Sequence, residues 1–143
     1  MDPQDFAPKA TKSSIAPQIP HYYGNYVRRL FLISGAFILL VLPFFNEVLP
    51  IPVLLTALIV ILLIVFAAMT NPFQRWVASA NVGISGIAVL IFEYLTVIGY
   101  TDETLIIFTV RQILALTFFF ALYYSAKTLR AMLLNQIRDQ ESS

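Results

Sequence analysis

Two residues that sit inside long apolar runs are able to do chemistry there: Glu93, in LIFEYLTVIG, and Arg111, in LIIFTVRQILAL. They flank the polar turn Tyr100–Thr104. A carboxylate within lipid is a candidate proton or cation site, and a guanidinium there is a candidate site for an anionic lipid or substrate. The same two groups also make a structural pair, because the planar fork of arginine holds a carboxylate through two hydrogen bonds and does not deprotonate. Either charge alone costs roughly 2.5–3.5 kcal/mol at the centre of a spanning helix on insertion scales. Pairing offsets that cost.

Glu93 is six residues before Gly99, and Arg111 is six after Leu105. At the helical rise each is about 9 Å in from the outer end of its helix. The two are symmetric about Asp102, so a tight hairpin sets them at one depth. Depth alone does not fix rotation about the helix axes. If the stripe bearing Glu93 faces that bearing Arg111, Ala115, Phe118, Leu122 and Ser125, the pair closes, with Gln112 or Tyr94 adding a hydrogen bond.

Little else in the chain points to a reaction. His21 is the single histidine and there is no cysteine, so a histidine pair, a thiolate metal site and a disulfide are excluded. There is no glycine-rich phosphate loop, serine elbow or paired-aspartate arrangement in the apolar runs. A net charge of +1 without a basic stripe argues against a nucleic-acid binder. The expectation is a protein that is not an enzyme, with no catalytic, metal or cofactor-binding residue and no cofactor.

The elements that must position Glu93 and Arg111 follow from composition. The chain has 143 residues, 59% hydrophobic and only 12% charged, against roughly 25% charged in a soluble domain. Apolar runs recur at residues 30–49, 52–70, 76–99 and 104–126. Each fits the roughly 17–25 residues that cross a hydrocarbon core as a helix. Barrel-type alternation is absent. The predicted fold is an all-α membrane protein of four transmembrane helices in an antiparallel up-down bundle. Residues 1–26 form a flexible arm, 27–126 the transmembrane domain, and 127–143 a helical extension and tail.

Lysine and arginine set the orientation. Lys9, Lys12, Arg28 and Arg29 precede the first run, Arg75 follows the second, and Lys127, Arg130 and Arg138 follow the fourth. The other two loops hold only the acids Glu47, Asp102 and Glu103. By the positive-inside rule both termini face the cytoplasm, in a bacterial-type plasma (inner) membrane. Tyr22, Tyr23, Tyr26, Trp76, Tyr100, Tyr123 and Tyr124 mark the two interfaces. Arg28-Arg29 and the run behind it look like the start of a secretory signal, but no small-residue cleavage site follows, so the run stays as a span.

Local signals refine the joints. Pro43 kinks the first span or begins its exit. Asn71 is a candidate cap with Pro72 at the first helical position, and Asp102 is a candidate cap for the fourth helix with Glu103 beside its positive end. On the third helix Ser79, Gly83, Gly86, Leu90, Glu93 and Val97 share one face. Ser79, Gly83 and Gly86 are the expected helix-packing residues, because small side chains let helices approach closely in lipid. Asn81, on the opposite side, needs a partner on another helix or access to interfacial water. Leu129, Met132, Leu133 and Ile137 keep helical spacing beyond the membrane, suggesting an amphipathic extension at the headgroups.

Small four-span multidrug exporters carry a glutamate in the first span, and voltage sensors repeat arginine in the fourth. Neither pattern is present here. The reading is a small polytopic protein acting as a structural, accessory or assembly subunit through helix–helix contacts. Its partners are the bilayer and a membrane protein or a second copy. The rival is a minimal oligomeric transporter or channel with Glu93 and Arg111 on its pathway.

Overall fold

The computed structural model describes residues 21–134. The arm expected over 1–26 is therefore seen only from His21 onward, and the tail residues Gln136, Ile137 and Arg138 lie outside the described residues. Among those described, all regular structure is helical: α1 (Gly24–Val41), a 3-10 turn (Asn46–Val48), α2 (Val53–Met69), α3 (Arg75–Gly99) and α4 (Leu105–Leu133). α1, α3 and α4 are long and apolar enough to cross a membrane. α2, at 17 residues, is the shorter apolar helix, with a rise of about 25 Å against a hydrocarbon core of about 30 Å.

The first helix is shorter than the apolar run that contains it. It ends at Val41, two residues before Pro43: Leu42 keeps helical dihedrals and its N–H reaches Ile38 O at 2.9 Å, but Pro43 supplies no N–H to carry the ladder on. The rest of that run makes a turn over residues 42–44 and then the 3-10 turn Asn46–Val48, in which Val48 is buried; Leu49 follows it, also buried. α3 begins at Arg75 rather than at Pro72. Asn71 does not cap it: its Oδ1 accepts from the backbone N–H of Phe73 at 3.1 Å, closing a local turn instead. The N-cap of α4 is Thr104 rather than Asp102, with no side-chain cap bond. α4 continues without a break to Leu133.

Helix pairs are read from their contacts. The carbonyl of Leu95, late in α3, meets Arg111, early in α4. A Cβ placed on Gly86 would touch Leu122 at 3.9 Å, and Ala78, at the start of α3, clusters with Ala131 and Met132. α1 packs on both α2 and α4, and Gly35 faces α2, where an added Cβ would meet Val60 Cγ1 at 3.4 Å. α2 and α3 barely touch. Between them lies a wholly apolar cleft of about 280 Å³ lined by Ile59, Leu62, Ile84, Ile87 and Ile91 among others.

The core is centred on three rings. Phe118 of α4 stacks on Phe92 of α3 at 5.9 Å and tilts against Phe31 of α1 at 6.3 Å. α2 contributes a narrow buried stripe, Thr56, Val60, Leu63 and Ala67, at four- and three-residue steps. Its other faces present Leu54, Leu58, Ile61 and Val65 outward. Hydroxyls inside the helices mostly bond back to their own backbone: Thr96 to Phe92 O at 2.7 Å, Thr109 to Leu105 O at 2.8 Å and Thr117 to Ile113 O at 2.7 Å. That pattern lets an apolar helix carry threonine without asking lipid for a partner.

At the other end from Arg111, Tyr23 donates its backbone N–H to Thr128 Oγ1 at 3.2 Å. The rings of Tyr23 and Tyr26 stack on Tyr124 at 5.9 and 5.2 Å, and Lys127 Nζ lies 4.4 Å from the centre of the Tyr23 ring. These contacts lock the entry to α1 onto the last third of α4. Burial raises the pKa of the Tyr22 phenol, which stands just before α1, against the opposing influence of Arg28.

Candidate functional site

Arg111 comes from the core face of α4, which it shares with Ile107, Leu114, Ala115 and Phe118. Its side chain is 2% exposed and is the largest fully buried one among the described residues. Nε donates to Val48 O at 3.0 Å, Nη1 to Leu95 O at 2.9 Å and Nη2 to Glu47 O at 2.6 Å. Nη1 also forms an ion pair with the carboxylate of Glu103. Four of the five N–H donors of the guanidinium are thereby used. The fork ties three separate pieces together: the α1–α2 loop, the last turns of α3 and the turn before α4.

The partner of Arg111 is therefore Glu103 and not Glu93. Side chains lean toward the N-terminus of their own helix. Arg111 thus leans toward the start of α4, where Glu103 and the 3-10 turn stand. Rotation keeps Glu93 apart from it, since Arg111 is on the core face of α4 and Glu93 is exposed on α3. Of the two hydrogen-bonding neighbours expected for the pair, Gln112 is used, by Glu93: its Nε2 lies 3.5 Å from Glu93 Oε2, at the long limit of a hydrogen bond. Tyr94 is 64% exposed on the outside of α3.

Glu103 is held over Gly99. A Cβ added to Gly99 would overlap the Glu103 carboxylate as it now lies, so a larger residue at the end of α3 would make that carboxylate shift. Glu103 remains a quarter exposed, opening on a cleft of about 610 Å³ that is also lined by Phe44, Asn46, Glu47 and Thr104. With its donors committed to protein carbonyls and Glu103, Arg111 acts as a clasp and is not free to take an incoming anion.

The packing face of α3 also differs from the small-residue stripe. Ser79 and Gly83 are exposed, nothing lies within 4 Å of a Cβ placed on Gly83, and only Gly86 reaches a neighbour. The buried face is instead Ala78, Asn81, Ser85, Phe92, Thr96 and Gly99. Asn81, Ser85 and Thr96 are turned inward and Gly83 outward, while Gly86 is half-buried and Gly99 buried. Asn81 is 2% exposed and donates from Nδ2 to Thr70 Oγ1 at 3.1 Å, so its partner is the end of α2 rather than interfacial water. Thr70 passes the bond on to Phe66 O at 2.8 Å.

Glu103 as the ion-pair partner, the carbonyls of Glu47, Val48 and Leu95, and Thr70 as the partner of Asn81 escaped the sequence reading. Glu103 was legible only as an acid near a helix start, and its reach over Gly99 depends on the shape of the turn. Backbone carbonyls leave no mark in a sequence. Among the described residues no cluster of histidine, aspartate and glutamate is suited to a metal ion. The chain matches no known protein family, no curated protein and no solved structure.

Proposed function

We propose that this is a small integral membrane protein that acts through helix–helix contacts, as a structural, accessory or assembly subunit, and not as an enzyme. In this reading the four helices form an antiparallel up-down bundle in a bacterial-type plasma membrane, with both termini cytoplasmic. The observation that carries it is the commitment of four of the five Arg111 donors to protein groups. The one arginine well inside a spanning helix holds loop carbonyls and Glu103 together, which is the work of a scaffold.

Topology is supported from both ends. The bond between Tyr23 N and Thr128 Oγ1 brings the chain's entry beside the end of α4, with Lys127 and Arg28 nearby in sequence. Arg111 joins the two loops that hold only acidic charges. The lysine and arginine bias then favours the cytoplasm for the first end. The broad apolar exterior, including Leu54, Leu58, Ile61, Leu90, Val97 and Leu105, suits contact with lipid and with other helices.

Purification in mild detergent from native membranes tests this directly. A stoichiometric membrane-protein companion is expected. The transport reading retains one supporting observation, an exposed carboxylate at Glu93. Flux through proteoliposomes of the purified chain that disappears in Glu93→Gln would replace the scaffold reading with that one.

A further inference from the structure

We infer that the outward face of α3 around Glu93 docks a transmembrane helix of another protein, one that carries a lysine or arginine at matching depth. This rests on the membrane reading above and names the chemistry of the partner. Glu93 is the one acid within the four helices. It is exposed, and the side chains around it on that face are apolar or aromatic and outward: Leu90 at 71%, Val97 at 73% and Tyr94 exposed. Its hydrogen bond, from Gln112 at 3.5 Å, is a long one to a neutral amide. Among the described residues no cation stands in ion-pair reach of it, and Arg111 is committed to Glu103 and three carbonyls.

A carboxylate held this way about 9 Å in from the end of its helix calls for a cation that lipid does not supply at that depth. The same side of α3 is open for an approaching backbone. Ser79 is exposed, and space beyond Gly83 is clear for at least 4 Å from an added Cβ. A second copy of this chain is the poorer occupant. It would bring another Glu93 to the same depth, while its own Arg111 is buried at 2% exposure. Charge complementarity therefore selects a different chain with a basic residue.

The test uses the full chain in liposomes, labelled through one cysteine introduced at Ser142, since the chain has none. The probe is a synthetic Leu/Ala transmembrane helix with one lysine about 9 Å from its outer end, compared with the same helix bearing leucine. Energy transfer is expected to report at least tenfold tighter association for the lysine helix. Glu93→Gln should remove that preference, and Glu93→Lys should transfer it to a helix bearing glutamate. Equal association of both helices, or a preference that survives Glu93→Gln, overturns the inference. Resistance of each variant to alkaline extraction is measured alongside. A wild-type chain that is extracted refutes the membrane reading itself, whereas an inserted chain with no preference refutes only the docking face.

Discussion

Arg111 donates from Nε to the carbonyl of Val48 at 3.0 Å, a bond that joins residues 63 apart in sequence. It fastens the loop after α1 to the start of α4. Two neighbouring bonds and the Glu103 ion pair complete the clasp. Removing the arginine strands a carboxylate and reduces the partners of three carbonyls. For a fully buried pair the loss is about 3–5 kcal/mol; with Glu103 a quarter exposed, about 2–3 kcal/mol is expected for Arg111→Met. Arg111→Lys should fall between, because an ammonium cannot reproduce the planar fork. Equilibrium unfolding in mixed micelles measures both.

Gly99→Ala should loosen the same clasp without touching a charge. Its new methyl would overlap the Glu103 carboxylate and displace it from Arg111. A loss of about 1–3 kcal/mol is expected, the usual size of an overpacking defect. The loss should shrink in a Glu103→Ala background, where the obstructing carboxylate is gone. Unfolding of the four variants in the cycle gives the answer.

Asn81 is predicted to tolerate loss of polarity better than gain of charge. Thr70→Val removes the one partner of its Nδ2 and should cost about 0.5–1.5 kcal/mol. Asn81→Asp places a carboxylate at a position 2% exposed and should abolish accumulation of the folded protein. Asn81→Leu should remain folded. Fluorescence-detected size exclusion of the three variants separates these outcomes.

Adjacent phenylalanines on α4 should respond in opposite ways. Phe118 touches the rings of Phe31 and Phe92, so Phe118→Leu loses two aromatic contacts and about 1–3 kcal/mol. Phe119 is 54% exposed, and Phe119→Leu should change stability by less than about 0.5 kcal/mol. Thermal unfolding in detergent compares the pair.

The four helices were legible because their apolar runs are long and their joints are marked by proline, asparagine and acids. Pro43 marked where α1 ends. Arg111 was legible as a residue that must be paired. Its partner was not, because equal α-carbon depth says nothing about rotation, which puts Arg111 on the core face and leaves Glu93 exposed. The rotation of α3 was missed for a related reason. Glycine spacing suggested close packing, but Asn81 is turned inward to Thr70 instead, and that choice depends on a neighbour outside α3.

The most direct measurement is a pair of double-mutant cycles on unfolding free energy, one joining Arg111→Met with Glu103→Gln and the other joining Arg111→Met with Glu93→Gln. The account predicts a coupling of at least about 1 kcal/mol in the first and under about 0.5 kcal/mol in the second, since Arg111 and Glu93 share no partner. A dominant coupling to Glu93, or none to Glu103, would contradict the clasp.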